Sequence, residues 1–413
     1  MKTEEGQSTS WRKLPRNIWA TSITSFLTDI SSEMIINLLP LYLFNVLGVS
    51  SAVIGLIEGL AEATASLLKL FSGWFSDRMG GRKWVAVTGY GISAFSKPFY
   101  LVAASWQAIA AVRWADRVGK GIRTAPRDAL IADSVSEKQR GLAFGVNRAA
   151  DTGGALIGLL IALFVVLRLQ GDTEGLSAST FKTLVLFSLI PAIIGVVVLA
   201  VMSKDVPVEG KRALPKFSLR GLGKPFLIFL AIIAIFDLGN SADAFLILRA
   251  QERGLSIAGI LSMLIVFNLV YSLLATPAGS LSDRVGRRQV LIGGWLLYTA
   301  VYLGFALANS AWNVWLLYGL YGAYYGLTYG TAKAFVADLV PVSLRGTAYG
   351  TYNATLGLID LPASLIAGLL WQNVSESAPF FFGALLALVA ALALLLWRPS
   401  QNIHQASNVT DSA

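Results

Sequence analysis

Gly73-Trp74-Phe75-Ser76-Asp77-Arg78-Met79-Gly80-Gly81-Arg82-Lys83 returns later in the chain as Gly279-Ser280-Leu281-Ser282-Asp283-Arg284-Val285-Gly286-Arg287-Arg288. Gly73, Asp77, Arg78 and Gly80 thereby meet Gly279, Asp283, Arg284 and Gly286 at a constant offset of 206 residues. A second segment keeps nearly the same interval. Ala132-Asp133, followed by Arg140-Gly141-Leu142-Ala143-Phe144-Gly145, reappears 205 residues on as Ala337-Asp338, followed by Arg345-Gly346-Thr347-Ala348-Tyr349-Gly350. Two unrelated segments sharing one offset predict two homologous halves, the sequence trace of a transporter whose site lies where the repeats meet.

Around these loops the chain keeps returning to apolar stretches of about 20 residues, enough for a helix to cross a roughly 30 Å hydrocarbon core. They run approximately over 18–46, 51–74, 84–104, 106–122, 141–167, 182–202, 225–249, 257–280, 289–308, 312–336, 346–371 and 379–397. The 413 residues are 55% hydrophobic and 14% charged, with a mean hydropathy of +0.63. A soluble chain of this length needs more polar surface, so an all-α membrane protein with twelve spans is expected and a soluble catalytic domain is not. Basic residues alternate sides: Arg78, Arg82 and Lys83 follow the second stretch, Arg123, Arg127, Lys138 and Arg140 the fourth, and Lys204 to Lys224 the sixth. The positive-inside rule then puts both termini in the cytoplasm of a bacterial inner-membrane protein. It also accounts for the net charge of +9 without nucleic acid. The expected domains are a tail 1–17, a six-helix bundle 18–202, a linker 203–224, a second bundle 225–397 and a tail 398–413. With no cysteine and one histidine, His404 in that tail, neither a metal site nor a cofactor nor an enzyme mechanism is expected.

The duplicated Gly-x-x-x-Asp-Arg-x-Gly loop resembles the signature loop of the major facilitator superfamily, and span number, half-repeat and loop position extend the resemblance over the whole chain. In the first copy Gly81 stands where the pattern has Arg. The resemblance implies a cytoplasmic gate of Gly73, Asp77, Arg78, Gly80 and Arg82 with Gly279, Asp283, Arg284, Gly286 and Arg287. In it, Asp77 docks near the start of span eleven around Gly346, and Asp283 near the start of span five around Gly141. The physics is compatible: glycine permits close helix approach, a carboxylate is favoured at a helix N-terminus, and the following cations face anionic lipid. Gly154-Ala155-Leu156-Ile157-Gly158 and Leu38-Leu39-Pro40-Leu41-Tyr42-Leu43 partly resemble the drug/metabolite:proton antiporter branch.

Charged side chains inside a bilayer are expensive and are functional hypotheses by default. Asp29 and Glu33 share one face of span one; Glu58, Glu62 and Lys69 share a stripe of span two. Span four carries Arg113, Asp116 and Arg117, and span five Arg148 and Asp151. The second half has Asp237, Asn240, Asp243, Lys333, Asp360 and the tyrosines Tyr321, Tyr324, Tyr325 and Tyr329. Asp29, Glu33 and Glu62 are the expected proton sites, and Arg113, Asp116, Arg148, Asp151, Asp237, Asn240, Tyr325 and Asp360 the expected cavity. Arg113 with Asp116, or Arg148 with Asp151, equally suits a structural pair that only neutralises itself.

The expected activity is secondary transport of a small organic solute by alternating access, as proton-coupled efflux from a monomer, with substrate, protons and the lipid bilayer as partners. Two alternatives stay open: a proton symporter for an anionic metabolite clamped by Arg113 and Arg148, and a non-transporting sensor on the same scaffold. The glycine stretches lack the Gly-Lys-Ser/Thr ending of an ATP-binding loop.

Overall fold

The computed structural model describes residues 14–206, 221–341 and 344–397. Most of the N-terminal tail, most of the 203–224 linker and the tail containing His404 lie outside them. Among the described residues the secondary structure is helical, with α1 (Arg16–Glu33), α2 (Leu39–Asn45), α3 (Ser51–Met79), α4 (Lys83–Ser96), α5 (Trp106–Asp133), α6 (Glu137–Leu169) and α7 (Ala178–Met202) before the linker. After it come α8 (Gly223–Leu238), α9 (Ala244–Glu252), α10 (Ile257–Val285), α11 (Arg287–Leu307), α12 (Ala311–Asp338), α13 (Arg345–Asn373) and α14 (Ala378–Leu396). Taking α1 with α2 as span one, α4 with the 3-10 turn Lys97–Leu101 as span three, and α8 with α9 as span seven gives twelve spans in two sets of six. Seven single helices, α3, α6, α7, α10, α11, α13 and α14, are apolar and long enough to cross a bilayer by themselves. The other spans are interrupted, or carry arginines, as α5 does, or tyrosines, as α12 does.

The repeat predicted from the loops reaches atomic detail. Spans four and ten open on the same cap: Ser105 accepts a hydrogen bond from the Ala108 N–H (3.3 Å), and its repeat equivalent Ser310 accepts one from the Asn313 N–H (3.3 Å). Such caps satisfy amide donors that the first helical turn leaves unbonded. The Arg140 guanidinium donates to the Ala132 carbonyl (3.4 Å), and Arg345 to that of Ala337 (3.3 Å). Spans one and seven break at matching places, α1 ending at Glu33 and α8 at Leu238, with α2 restarting at Leu39 and α9 at Ala244. Pro40 in the first turn of α2 cannot donate to a preceding helix and suits a new start. In lipid the amides and carbonyls freed by a break need partners. At the second break the Ala242 N–H donates to Ser364 Oγ (3.2 Å), and Tyr298 donates to the Gly239 carbonyl (3.1 Å).

The largest boundary difference from the sequence expectation is in span four. Hydropathy places span four at 106–122, with Arg123 and Arg127 in the following loop, but α5 continues to Asp133 and carries both. Arg123 is buried; it donates to Ser93 Oγ (2.7 Å) and lies 4.6 Å over the Tyr90 ring. Polar partners on neighbouring helices let an arginine-bearing helix continue where hydropathy alone ends it.

Two compact units are present. One takes Met1–Ile36, Leu68–Ala162 and Phe181–Ala213; the other takes Asn37–Leu67, Leu163–Thr180 and Leu214–Ala413. In the first, α6 lies against α1 at Gly154 and Gly158. A Cβ on Gly158 would stand 2.6 Å from the Ile30 carbonyl oxygen and 3.1 Å from Glu33 Cβ. The glycine pair that resembled an antiporter signature thus seats α6 directly against the helix bearing Asp29 and Glu33. In the second unit the N-terminal half of α3 packs as closely on α13, small residues allowing the backbones to meet. A Cβ on Gly368 would stand 2.6 Å from the Ser51 carbonyl oxygen and 2.7 Å from Ala52 Cα. Gly368→Val is therefore expected to destabilise the protein by about 3 kcal/mol through overpacking, read as a lower melting temperature in detergent. Gly91→Ala, where the added methyl meets nothing within 4 Å, should leave the melt unchanged or slightly raised; an unchanged melt for Gly368→Val would contradict the packing argument.

Candidate functional site

In the first unit, charge concentrates where α1, α4, α5 and α6 supply side chains to one another. Asp29 and Glu33 occupy the last two turns of α1, ahead of its break, and both are half-buried. Asp151, Glu33, Arg123 and Arg127 are among the charged groups within electrostatic reach of Asp29. Arg127 is the hub. Its guanidinium donates to Ser25 Oγ on α1 (3.1 Å), bonds Asp128 (2.8 Å) and lies 3.9 Å from Asp151 on α6. The sequence paired Asp151 with Arg148 on its own helix; Arg148 is exposed and within electrostatic reach of Asp151, and Arg127 of α5 joins them as a further cation. Arg113 and Asp116 do face each other, at 3.9 Å, and both are buried.

Lys97 is a member of this cluster that the sequence reading passed over. It is 3% exposed, and its ammonium bonds Ser31 Oγ and Ser32 Oγ (3.2 Å), with Asp116, Asp29 and Glu33 among its charged neighbours. The signal was present as a lone lysine within the apolar stretch 84–104. The arrangement supplies acids, hydroxyls and guanidinium groups on separate helices. Proton exchange and anion binding both need such groups, and small shifts of one helix would change their pairing.

In the second unit, a cavity of about 230 Å³ is lined by α8, α11, α12 and α13 together with Asn240 of the span-seven break. Of the residues expected at a cavity, Asp237, Asn240, Tyr325 and Asp360 come together here; Arg113, Asp116, Arg148 and Asp151 lie in the first unit. Trp295 and Tyr352, not singled out by the sequence, also line it. The tyrosine stripe of α12 divides its work. Tyr321 turns into the core and donates to Asp243 Oδ1 (3.0 Å), whereas Tyr324, Tyr325 and Tyr329 face the cavity. Glu62 is half-buried on α3, one turn from the buried Glu58, and is not among the cavity-lining residues.

The duplicated loops form matching charge triads. Arg82 bridges Asp77 (3.0 Å) and Asp133 (2.9 Å); Arg287, which aligns with Gly81 one residue earlier in the loop, bridges Asp283 (3.4 Å) and Asp338 (2.5 Å). The repeated Ala-Asp of the sequence is thus the third corner of each triad. In the first copy the α4 N-terminus gains a further anion, since Asp205 accepts from the Arg82 and Lys83 amides (2.7 and 2.8 Å). Gly80 and Gly286 adopt φ of +67° and +107°, which only glycine reaches without strain, so each loop can turn between its helices.

A family model for the Major Facilitator Superfamily matches residues 21–256 and 227–411. An uncharacterised MFS-type transporter of Methanocaldococcus jannaschii is 38% identical over 394 residues, 93% of this chain and 95% of the relative. The multidrug resistance protein MdtG of Enterobacter lignolyticus is 23% identical over 389 residues, 91% of each chain. The fold also matches the crystal structure of a POT family transporter in complex with 5-aminolevulinic acid, with a TM-score of 0.77 at 14% identity over 95% of this chain and 98% of that one. Twelve spans in two repeated halves, duplicated Gly-x-x-x-Asp-Arg loops and a whole-length family match agree: this chain is a multi-pass membrane transporter of the Major Facilitator Superfamily.

Proposed function

We propose that this transporter couples proton entry to the export of a small organic molecule, working as a monomer in the inner membrane with both termini in the cytoplasm. The observation that carries the reading is Asp29, a half-buried carboxyl within span one, about one turn ahead of a helix break and flanked by arginines of another helix. Acids held this way can exchange a guanidinium partner for a proton as helices move, the requirement for coupling in alternating access. Similarity to a multidrug resistance protein supports export over import. Asp77 and Asp283 with their triads would serve as the cytoplasmic gate, and Glu33 and Glu62 as further proton sites.

Inside-out vesicles carrying the protein, acidified within by respiration, test this with ethidium, Hoechst 33342 and norfloxacin as probes. Accumulation of a probe above control vesicles is expected, with release on adding a protonophore. Accumulation indifferent to the protonophore would remove the coupling. Protein-dependent uptake of anions by intact cells would favour instead a symporter with Arg113 and Arg148 as the anion clamp.

A further inference from the structure

We propose that the cavity of the second unit is a binding site for an organic cation carrying an aromatic or bulky apolar body. The assignment rests on the transport reading above and names the substrate class for it. Asp237 stands at its centre. The residue is 7% exposed, it lines the cavity, and its Oδ2 atom has no hydrogen-bond partner among the described residues. A carboxylate oxygen buried without a partner is costly, and a cation in contact with it offsets that cost.

Three further features have the same sign. Asp360 lines the same cavity from α13. Asp237 sits in the last turn of α8, where the helix dipole adds partial negative charge. The one cation in the lining, Lys333, is engaged at the rim: its ammonium bonds the Tyr329 hydroxyl (3.2 Å) and lies 4.4 Å over that ring. By formal charge the lining holds two acidic groups against one tethered ammonium.

The walls then select the body of the ligand. Trp295, Tyr324, Tyr325 and Tyr352 contribute aromatic surface, whose faces attract alkylammonium groups and whose area accepts an apolar ring. Trp295 is held in place by stacking on Phe236, with centroids 4.9 Å apart and planes inclined by 13°. Few residues of this wall can rearrange cheaply, because Trp295, Tyr324 and Tyr352 are all buried. A small anion would meet Asp237 and Asp360 with only Lys333 in its favour, and a strongly hydrated inorganic cation would gain little from the aromatic surface.

The test uses the full-length protein in detergent, with no gradient, and three probes of similar shape: benzyltrimethylammonium, its uncharged isostere neopentylbenzene, and the anion phenylacetate. Calorimetric titration is expected to show benzyltrimethylammonium binding at least tenfold more tightly than either of the others. Asp237→Asn is expected to abolish that preference. The chain has no cysteine, so a single cysteine placed at the exposed lining residue Asn353 locates the site independently of that variant. Benzyltrimethylammonium should slow its maleimide labelling at least fivefold.

Equal affinity for the cation and its isostere, tighter binding of phenylacetate, or unprotected labelling at position 353 would each overturn the assignment. So would a cation preference that survives Asp237→Asn; should that variant not fold, the wild-type ranking and the labelling decide alone. Failure here leaves proton coupling to be judged by the vesicle assay. Binding that persists while gradient-driven transport is absent would overturn the coupling and leave this site standing.

Discussion

Replacing Asp29 by Asn is expected to collapse gradient-driven accumulation while leaving substrate exchange across the membrane intact. With a transported probe in proteoliposomes, a gradient of two pH units supports about a hundredfold accumulation per coupled proton, since each factor of ten corresponds to about 1.4 kcal/mol. The variant should bring the accumulation close to unity. Asparagine keeps the shape of the side chain and its ability to accept a hydrogen bond, so α1 and its Gly154 and Gly158 contacts should survive. Counterflow, which needs no gradient, controls for folding and binding. Retention of full accumulation by Asp29→Asn would exclude this carboxyl from the proton path, and Glu33→Gln and Glu62→Gln would then be measured in the same way.

The second large effect is expected at Arg127. This guanidinium joins Ser25 of α1, Asp128 of its own helix and Asp151 of α6, so Arg127→Gln leaves a largely buried carboxylate facing a neutral amide. Removing one partner of a buried pair costs about 3–5 kcal/mol. The side chains of Arg127 and Asp151 are 18% and 17% exposed, so we expect the lower end of that range. The thermal melt should fall accordingly and transport should be lost. Adding Asp151→Asn removes the stranded charge and should recover most of the stability. Transport should stay absent if the pair belongs to the coupling machinery, because the double variant has lost the charges that change partners. A double variant that regains both stability and turnover would reduce the pair to a structural bridge. Asp151 has Arg148 as a second charged neighbour, and the repeat equivalents of Arg148 and Asp151 are Asn353 and Leu356. The fold itself therefore requires no charges at this level.

Much of this protein is determined by its sequence alone, and the reason is the solvent. A bilayer forces each crossing into about 20 apolar residues with internally bonded backbone, so length and hydropathy specify the spans and their number. The common offset of the repeated segments specifies the two halves, and the duplicated Gly-x-x-x-Asp-Arg loops specify the family. Which charges meet was not legible there. Asp151 shares a helical face with Arg148, and a second cation, Arg127, reaches it from the C-terminal part of α5, which hydropathy had assigned to a loop. Lys97 looked like one lysine in an apolar stretch until Ser31 and Ser32 were found against it. At the break over 239–243, side chains from other helices, Ser364 and Tyr298, bond the backbone that it exposes, which the sequence does not record. Helical periodicity records the face on which a side chain lies, whereas its partner depends on which helix packs against that face. Only tertiary structure decided that Tyr321 turns inward while Tyr325, four residues on, joins Asp237 and Asp360 around a cavity.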